Sequence, residues 1–412
     1  MLYAIHARLI IQIKKGLKKL KNLPRKTNRK ILATGAIFSF LLILFLISVF
    51  FPARKILIKL AGFEPQKEAQ NVEPKKVRPV FSQPFEAKGI YITSFTAGDK
   101  KRMSELTALI KKTELNAIII DIKDWGGQIV FKTENPELNR PGTFDIRISD
   151  IGGLLERLHD ENIYAIARVA VFQDNSLAVK RPDLALKSKK TGKIWRDFKK
   201  IAWLDPASLE VQDYNIALAI EAARLGFDEV NFDYIRFPSD GAMADAIYPF
   251  WDGKTPKHEV MKNFFQRASF ELKPLKIIIS ADFFGLTTWR DDDMNIGQRL
   301  IDAAGYFDYI SPMVYPSHYP AGFQNFKNPA AHPYEIIFES LMKGQSKLTE
   351  FASSNHVSAA LLRPWLQDFD LGAVYDDKMV RLEKKAVYDA KSFGWILWNA
   401  SNKYTVDALD SE

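Results

Sequence analysis

From residue 88 onward, short runs rich in β-branched and aromatic residues alternate with longer segments of helical period. The strand candidates are KGIYITSF (88–95), AIIIDIKD (117–124), YAIARVAVF (164–172), EVNFDYIRF (229–237), KIIISADFFG (276–285), DYISPMVYP (308–316), ALLRPWLQDF (360–369) and GWILWNAS (394–401). Helical patterns fill 103–113, 150–161, 209–225, 257–273, 294–304, 334–350 and 374–392. Eight strands with seven intervening helices predict an α/β fold, a parallel (β/α)8 TIM barrel spanning 88–412. A doubly wound open sheet is the competing arrangement. It would carry a glycine-rich phosphate turn after the first strand, and ITSFTAGDK is no such turn. The long connections, 173–208, 238–256 and 317–333, all follow strands, on the side where barrel enzymes build their sites.

The first 87 residues follow other patterns. ILATGAIFSFLLILFLISVFF, residues 31–51, has no charge and is long enough for a helix to cross ~30 Å of hydrocarbon. Dense positive charge before it predicts a cytoplasmic N-terminus and an extracytoplasmic barrel, hence a single-pass protein of the cell membrane. A cleaved signal peptide would have a shorter apolar run of ~7–15 residues and a small-residue cleavage site. Residues 52–87, rich in Pro, Glu, Lys and Gln, read as an extended linker. The basic arm 1–30 reads first as an ordinary positive-inside flank, with contact to anionic lipid as the alternative.

Charge changes the picture once it is divided by segment. The net +9 is carried by the arm, with ten Lys/Arg and no acid, and by residues 54–88, with eight Lys/Arg and four Glu. Residues 89–412 therefore sum to about −5, which argues against nucleic acid as a partner of the folded part. There is no cysteine, so no disulfide framework and no thiol nucleophile. The six histidines form no HxH or HExxH spacing, and the chain has no Walker loop and no GxSxG. The acidic run Asp291-Asp292-Asp293 lacks the Gly and terminal Glu of an EF-hand. Neither a metal nor a cofactor is expected.

Alternation sorts the polar residues by face. Asp121 and Lys123 share a face of the second strand, with Asp124 and Trp125 at its end. Arg168 lies in the third strand. Asn231 and Asp233 share a face of the fourth, with Arg236 just beyond. Ser280 and Asp282 share a face of the fifth. Ser311 and Tyr315 do so in the sixth, and His318 follows in its loop. Arg363, Trp365 and Gln367 share a face of the seventh, and Asp368 follows. Trp398, Asn399 and Asn402 end the eighth.

A barrel top is where such strand ends converge. Asp233 and Asp282 stand on adjacent strands, ~4.8 Å apart, and their carboxyls fit the ~5–5.5 Å separation of retaining glycosidases. One would attack the anomeric carbon while the other protonates the leaving oxygen. Asp121, Asp124 or Asp368 could replace either partner. Aromatic rings at the strand ends suit the C–H faces of sugars, and Arg, Asn, Gln and Asp suit the hydroxyls. Several of the rings would equally serve as the core of the long loops.

The ordered motifs KGIYITSF, IIIDIKD, GFDEVNFDYIRFPSDG, ISADFFG, DYISPMVYPSHYP and LRPWLQDF resemble a family of bacterial barrel proteins assigned to glycosyl hydrolysis, over roughly 86–405. The resemblance implies a barrel fold and carbohydrate hydrolysis. The family is distantly similar to the alpha-amylase-like group, whose nucleophilic Asp ends the fourth strand. That similarity implies Asp233 as nucleophile and Asp368 as the third acid. Asp282 stands where that group has Glu, and Asn231 where it has Arg. The expectation is a membrane-anchored glycoside hydrolase acting on a cell-wall or surface polysaccharide, with a non-catalytic carbohydrate-binding barrel as the rival.

Overall fold

The structure, a computed structural model, describes residues 81–411. The basic arm, the apolar run 31–51 and the linker up to residue 80 lie outside the described residues.

Eight parallel strands close into a barrel. They are β1 (Lys88–Ile92), β2 (Ala117–Lys123), β3 (Tyr164–Ala170), β4 (Glu229–Asp233), β5 (Ile278–Phe284), β6 (Tyr309–Met313), β7 in two pieces (Leu361–Leu362 and Trp365–Gln367), and β8 (Trp395–Trp398). Each pairs with the next, and β8 returns to β1 with Lys88 opposite Trp395. Closure leaves no barrel edge unpaired. It buries β2, β3 and β4 along their whole length, which is why β2 and β3 read as nearly continuous apolar runs.

The outer helices obey local signals. Ser208 accepts from the Val211 N–H at the start of the helix Leu209–Leu225, and Gly226, at φ 104°, ends it in the left-handed conformation. Asp99, Asp150 and Asp376 cap three others in the same way.

Three local expectations are corrected. The helix expected over 294–304 shrinks to Leu300–Ala303, because Met294, Asn295 and Gly297 take positive φ. The seventh strand is interrupted at Arg363-Pro364, where proline has no N–H to give the ladder. In β2 the register slips between Asp121 and Lys123, so Lys123 leaves the inward face. It turns outward to Asp174, at 2.7 Å, and to the Ala170 carbonyl, at 2.8 Å.

Residues 81–87, read above as linker, pack on the barrel. Phe85 stacks on Tyr164 with ring centres 4.4 Å apart, and Phe81 meets the same ring edge-on. The barrel interior then divides by depth. Near the start of the strands, Glu229 and Arg363 form an ion pair with neither side chain exposed. Ser280 and Tyr164 donate to the same carboxylate. The second polar layer lies nearer the strand ends.

Candidate active site at the barrel mouth

This upper layer is organised around Arg168, in the middle of β3. Its Nη1 donates to Asp121 Oδ1 at 2.5 Å, its Nη2 donates to Asp233 Oδ2, and its Nε lies 3.8 Å from Asp282 Oδ2. One guanidinium thus gathers carboxylates from β2, β4 and β5. The strand registers bring this about: Asp121 pairs with Arg168, and Phe232 with Ala281, which sets Asp233 beside Asp282. Burial alone would weaken the Arg168 cation, but Asp233 and Asp121 outweigh it and hold the group charged.

Each carboxylate has its own surroundings. Asp121 Oδ2 accepts from the Tyr91 hydroxyl at 2.6 Å, and burial raises the Asp121 pKa against the pull of Arg168. Asp233 Oδ1 accepts from the Tyr234 N–H at 2.5 Å. Tyr234 itself sits at φ 53°, a conformation that costs a bulky residue about 1–3 kcal/mol and tends to mark functional sites.

Asp282 is the outlier. Its Oδ1 accepts from Trp365 Nε1 at 2.7 Å and from Asn231 Nδ2 at 2.8 Å. Burial, and then the charge of Asp233, push its pKa up to about 8. With Oδ1 occupied by two donors, the proton belongs on Oδ2, the oxygen nearer Arg168. Removing the indole donor by Trp365→Phe is expected to raise this pKa further. The measurement is the alkaline limit of the pH–rate profile, and an unmoved limit would show that the indole does not tune Asp282.

Tyr315, after β6, completes the layer. It packs against Trp398 and Phe369, and burial followed by Asp282 and Asp233 keeps its hydroxyl protonated. Trp398 stacks on Tyr91 with ring centres 6.2 Å apart. His318 is exposed and leans on the Tyr315 ring.

A cavity of about 710 Å³ opens over the ends of β1, β2 and β3. Tyr91, Asp121, Asp124 and Trp125 bound it on the barrel side. Asp124 is held by Arg147 at 2.6 Å, and Trp125 is 55% exposed.

Other residues expected at the site are committed elsewhere. Arg363 does not reach the mouth; it faces inward as Trp365 does, but one layer deeper, as the buried partner of Glu229. The Gln367 side chain accepts from Ser317 Oγ at 2.7 Å and donates to the Phe369 carbonyl at 2.9 Å, bracing two loops. Asp368 accepts from the Thr405 N–H and hydroxyl. Asn399 donates to the Asp368 carbonyl. Arg236 lies between the rings of Trp203 and Phe284, at 4.8 and 4.7 Å, and donates to Ser239 Oγ. Trp195 and Trp203 are core residues of the 173–208 segment, with their indole N–H groups on the Ala242 carbonyl and on Asp197. Tyr91 and Arg147 were missed, although Tyr91 alternates with the outward Ile90 and Ile92 in KGIYITSF, which is the signal that places it inward.

Comparison with known proteins agrees with this architecture. No curated protein matches the chain. A hypothetical protein from Ruminiclostridium thermocellum is 35% identical, covering 47% of this chain and 96% of its own, with a TM-score of 0.43. The glycoside hydrolase domain of PgaB (BpsB) from Bordetella bronchiseptica is 11% identical, covers 77% of this chain and 94% of its own, and has a TM-score of 0.54, which shows a shared fold. Residues 89–404 match the family described as "Putative glycosyl hydrolase domain", and with most of its length inside that match the chain belongs to this family.

Proposed function

We propose that the barrel hydrolyses glycosidic bonds by a retaining mechanism in which Asp233 attacks and Asp282 is the acid and base. The observation that carries this is the contrast within one carboxylate pair: Asp233 is ion-paired to Arg168, while Asp282, beside it, is held protonated up to about pH 8. Such a split is how one site supplies an anion and an acid at the same pH. In the first step Asp233 bonds to the anomeric carbon and the Asp282 proton passes to the leaving oxygen. In the second, Asp282 takes a proton from water as the water oxygen displaces Asp233, restoring both groups. Arg168 holds Asp233 in line, and its second carboxylate, Asp121, keeps the guanidinium in place. Asp121 bounds the open cavity and Asp282 does not, which favours a second reading with Asp121 in place of Asp282.

The test is turnover by the full-length protein on a panel of wall and surface glycans across pH. Rate should fall as pH rises through about 8, because the acid is lost there. Asp282→Asn should lose roughly 10²–10⁴-fold and abolish that alkaline limb. If Asp121→Asn abolishes the limb and Asp282→Asn keeps it, the roles belong to Asp121.

The wider setting is part of the proposal. The uncharged run 31–51 and the ten cations before it support a single membrane helix with the N-terminus inside and the barrel outside, where wall and surface polysaccharides lie. The same cations support contact of the arm with anionic lipid.

A further inference from the structure

The connection after β3 differs electrically from the rest of the domain. Residues 173–208 contain nine Lys/Arg and four Asp, while 89–412 as a whole is acidic. The four acids are already engaged. Asp174 pairs with Lys123, Asp183 with Arg181, Asp197 accepts from Trp203 Nε1, and Asp205 accepts backbone N–H groups of Ala207, Phe250 and Trp251. Lys180, Arg196, Lys199 and Lys200 are exposed and, among the described residues, none has a carboxylate within ion-pairing distance.

These four cations form the outer wall of the cavity whose inner wall is Asp121, Trp125 and Tyr91. The wall has a defined backbone. Arg196 donates to the Lys200 carbonyl at 2.8 Å and to Asn175 Oδ1 at 2.5 Å, and Lys200 takes φ 66°. The acids of the lining, Asp121 and Asp124, are already paired with Arg168 and Arg147, so the four outer cations leave the cleft net positive, and such a cleft concentrates ligands of the opposite sign. A flat anionic surface could not enter a cavity that ends at Asp121, whereas a single polymer strand could.

We propose that this groove binds the acidic groups of a polyanionic glycan, carboxylate or phosphate, and leads the chain across Trp125 to the carboxylates around Arg168. The proposal rests on the hydrolase reading above and adds its substrate class. Cations on the outer wall pair with the acid groups, the exposed Trp125 ring carries a sugar face, and Asp121 marks the inner end.

The test compares three hexamers on the full-length protein: oligogalacturonate, oligo(glycerol phosphate) and neutral oligogalactose. Affinity is read by Trp fluorescence or calorimetry, and bond cleavage separately by chromatography of products. At least one acidic hexamer should bind about tenfold or more tighter than the neutral one, with the gap closing as salt rises. The identity of the tighter acid decides between carboxylate and phosphate. The triple variant Lys180→Glu, Lys199→Glu, Lys200→Glu should close the gap while binding neutral oligogalactose as before and melting at an unchanged temperature. Both proteins carry the same basic N-terminal arm, so the difference between them reports the groove. Equal affinity for acidic and neutral hexamers, or a preference that survives the triple variant, overturns the proposal. Acid preference without cleavage of any glycan would count against the hydrolase reading and leave the groove standing. Cleavage of neutral glycan without acid preference would do the reverse.

Discussion

Asp233→Asn is expected to lower kcat/KM by roughly 10⁴-fold or more, while the protein stays folded. An amide in place of the carboxylate cannot form the bond to the anomeric carbon. Arg168 keeps Asp121 as a charged partner, so the guanidinium is not left alone in the interior. The substitution carries a second signature. The charge of Asp233 is, after burial, the main reason the Asp282 pKa is raised. Removing it should shift the alkaline limit of the residual activity to lower pH. Activity that persists at the wild-type level, with an unmoved limit, would remove Asp233 from the mechanism.

The largest stability effect should come from the lower layer. Arg363→Met is expected to destabilise the barrel by about 3–5 kcal/mol, because it strands the fully buried Glu229 carboxylate without its cation. Ser280 and Tyr164 would remain as donors but cannot neutralise the charge. In a domain of this size the loss corresponds to a fall in melting temperature of about 5 °C. Glu229→Gln should cost a similar amount by leaving Arg363 unpaired. The double variant should recover much of the loss, since replacing both members of a buried pair is often close to neutral. Thermal melts of the four proteins close the cycle. Additive single losses would show that the two groups do not depend on each other. A KM that stays at the wild-type value in Arg363→Met would agree with its position below the mouth.

The sequence was most informative where one physical rule acted alone. Closed parallel strands must be apolar on both sides, and surface helices must be capped, so the eight strands and most helices could be read from period and punctuation. Asp233, Asp282, Asp121 and Arg168 were identifiable because a polar residue inside an apolar strand is conspicuous.

What only the tertiary structure decided was depth and partnership. Alternation assigns a side chain to the inside of a barrel but not to its sealed layer or its open one. Arg363 and Arg168 looked equivalent until register placed one on Glu229 and the other among three acids. A one-residue slip after Asp121 moved Lys123, and a proline after Arg363 split β7 in two, changes too small to leave a mark in hydropathy. The cationic wall was visible as composition in 173–208, yet its meaning came from the fold that set it opposite Asp121. Charge is a property of the chain, but whether it is spent on a neighbour or left facing a cavity is set by distances that only packing fixes.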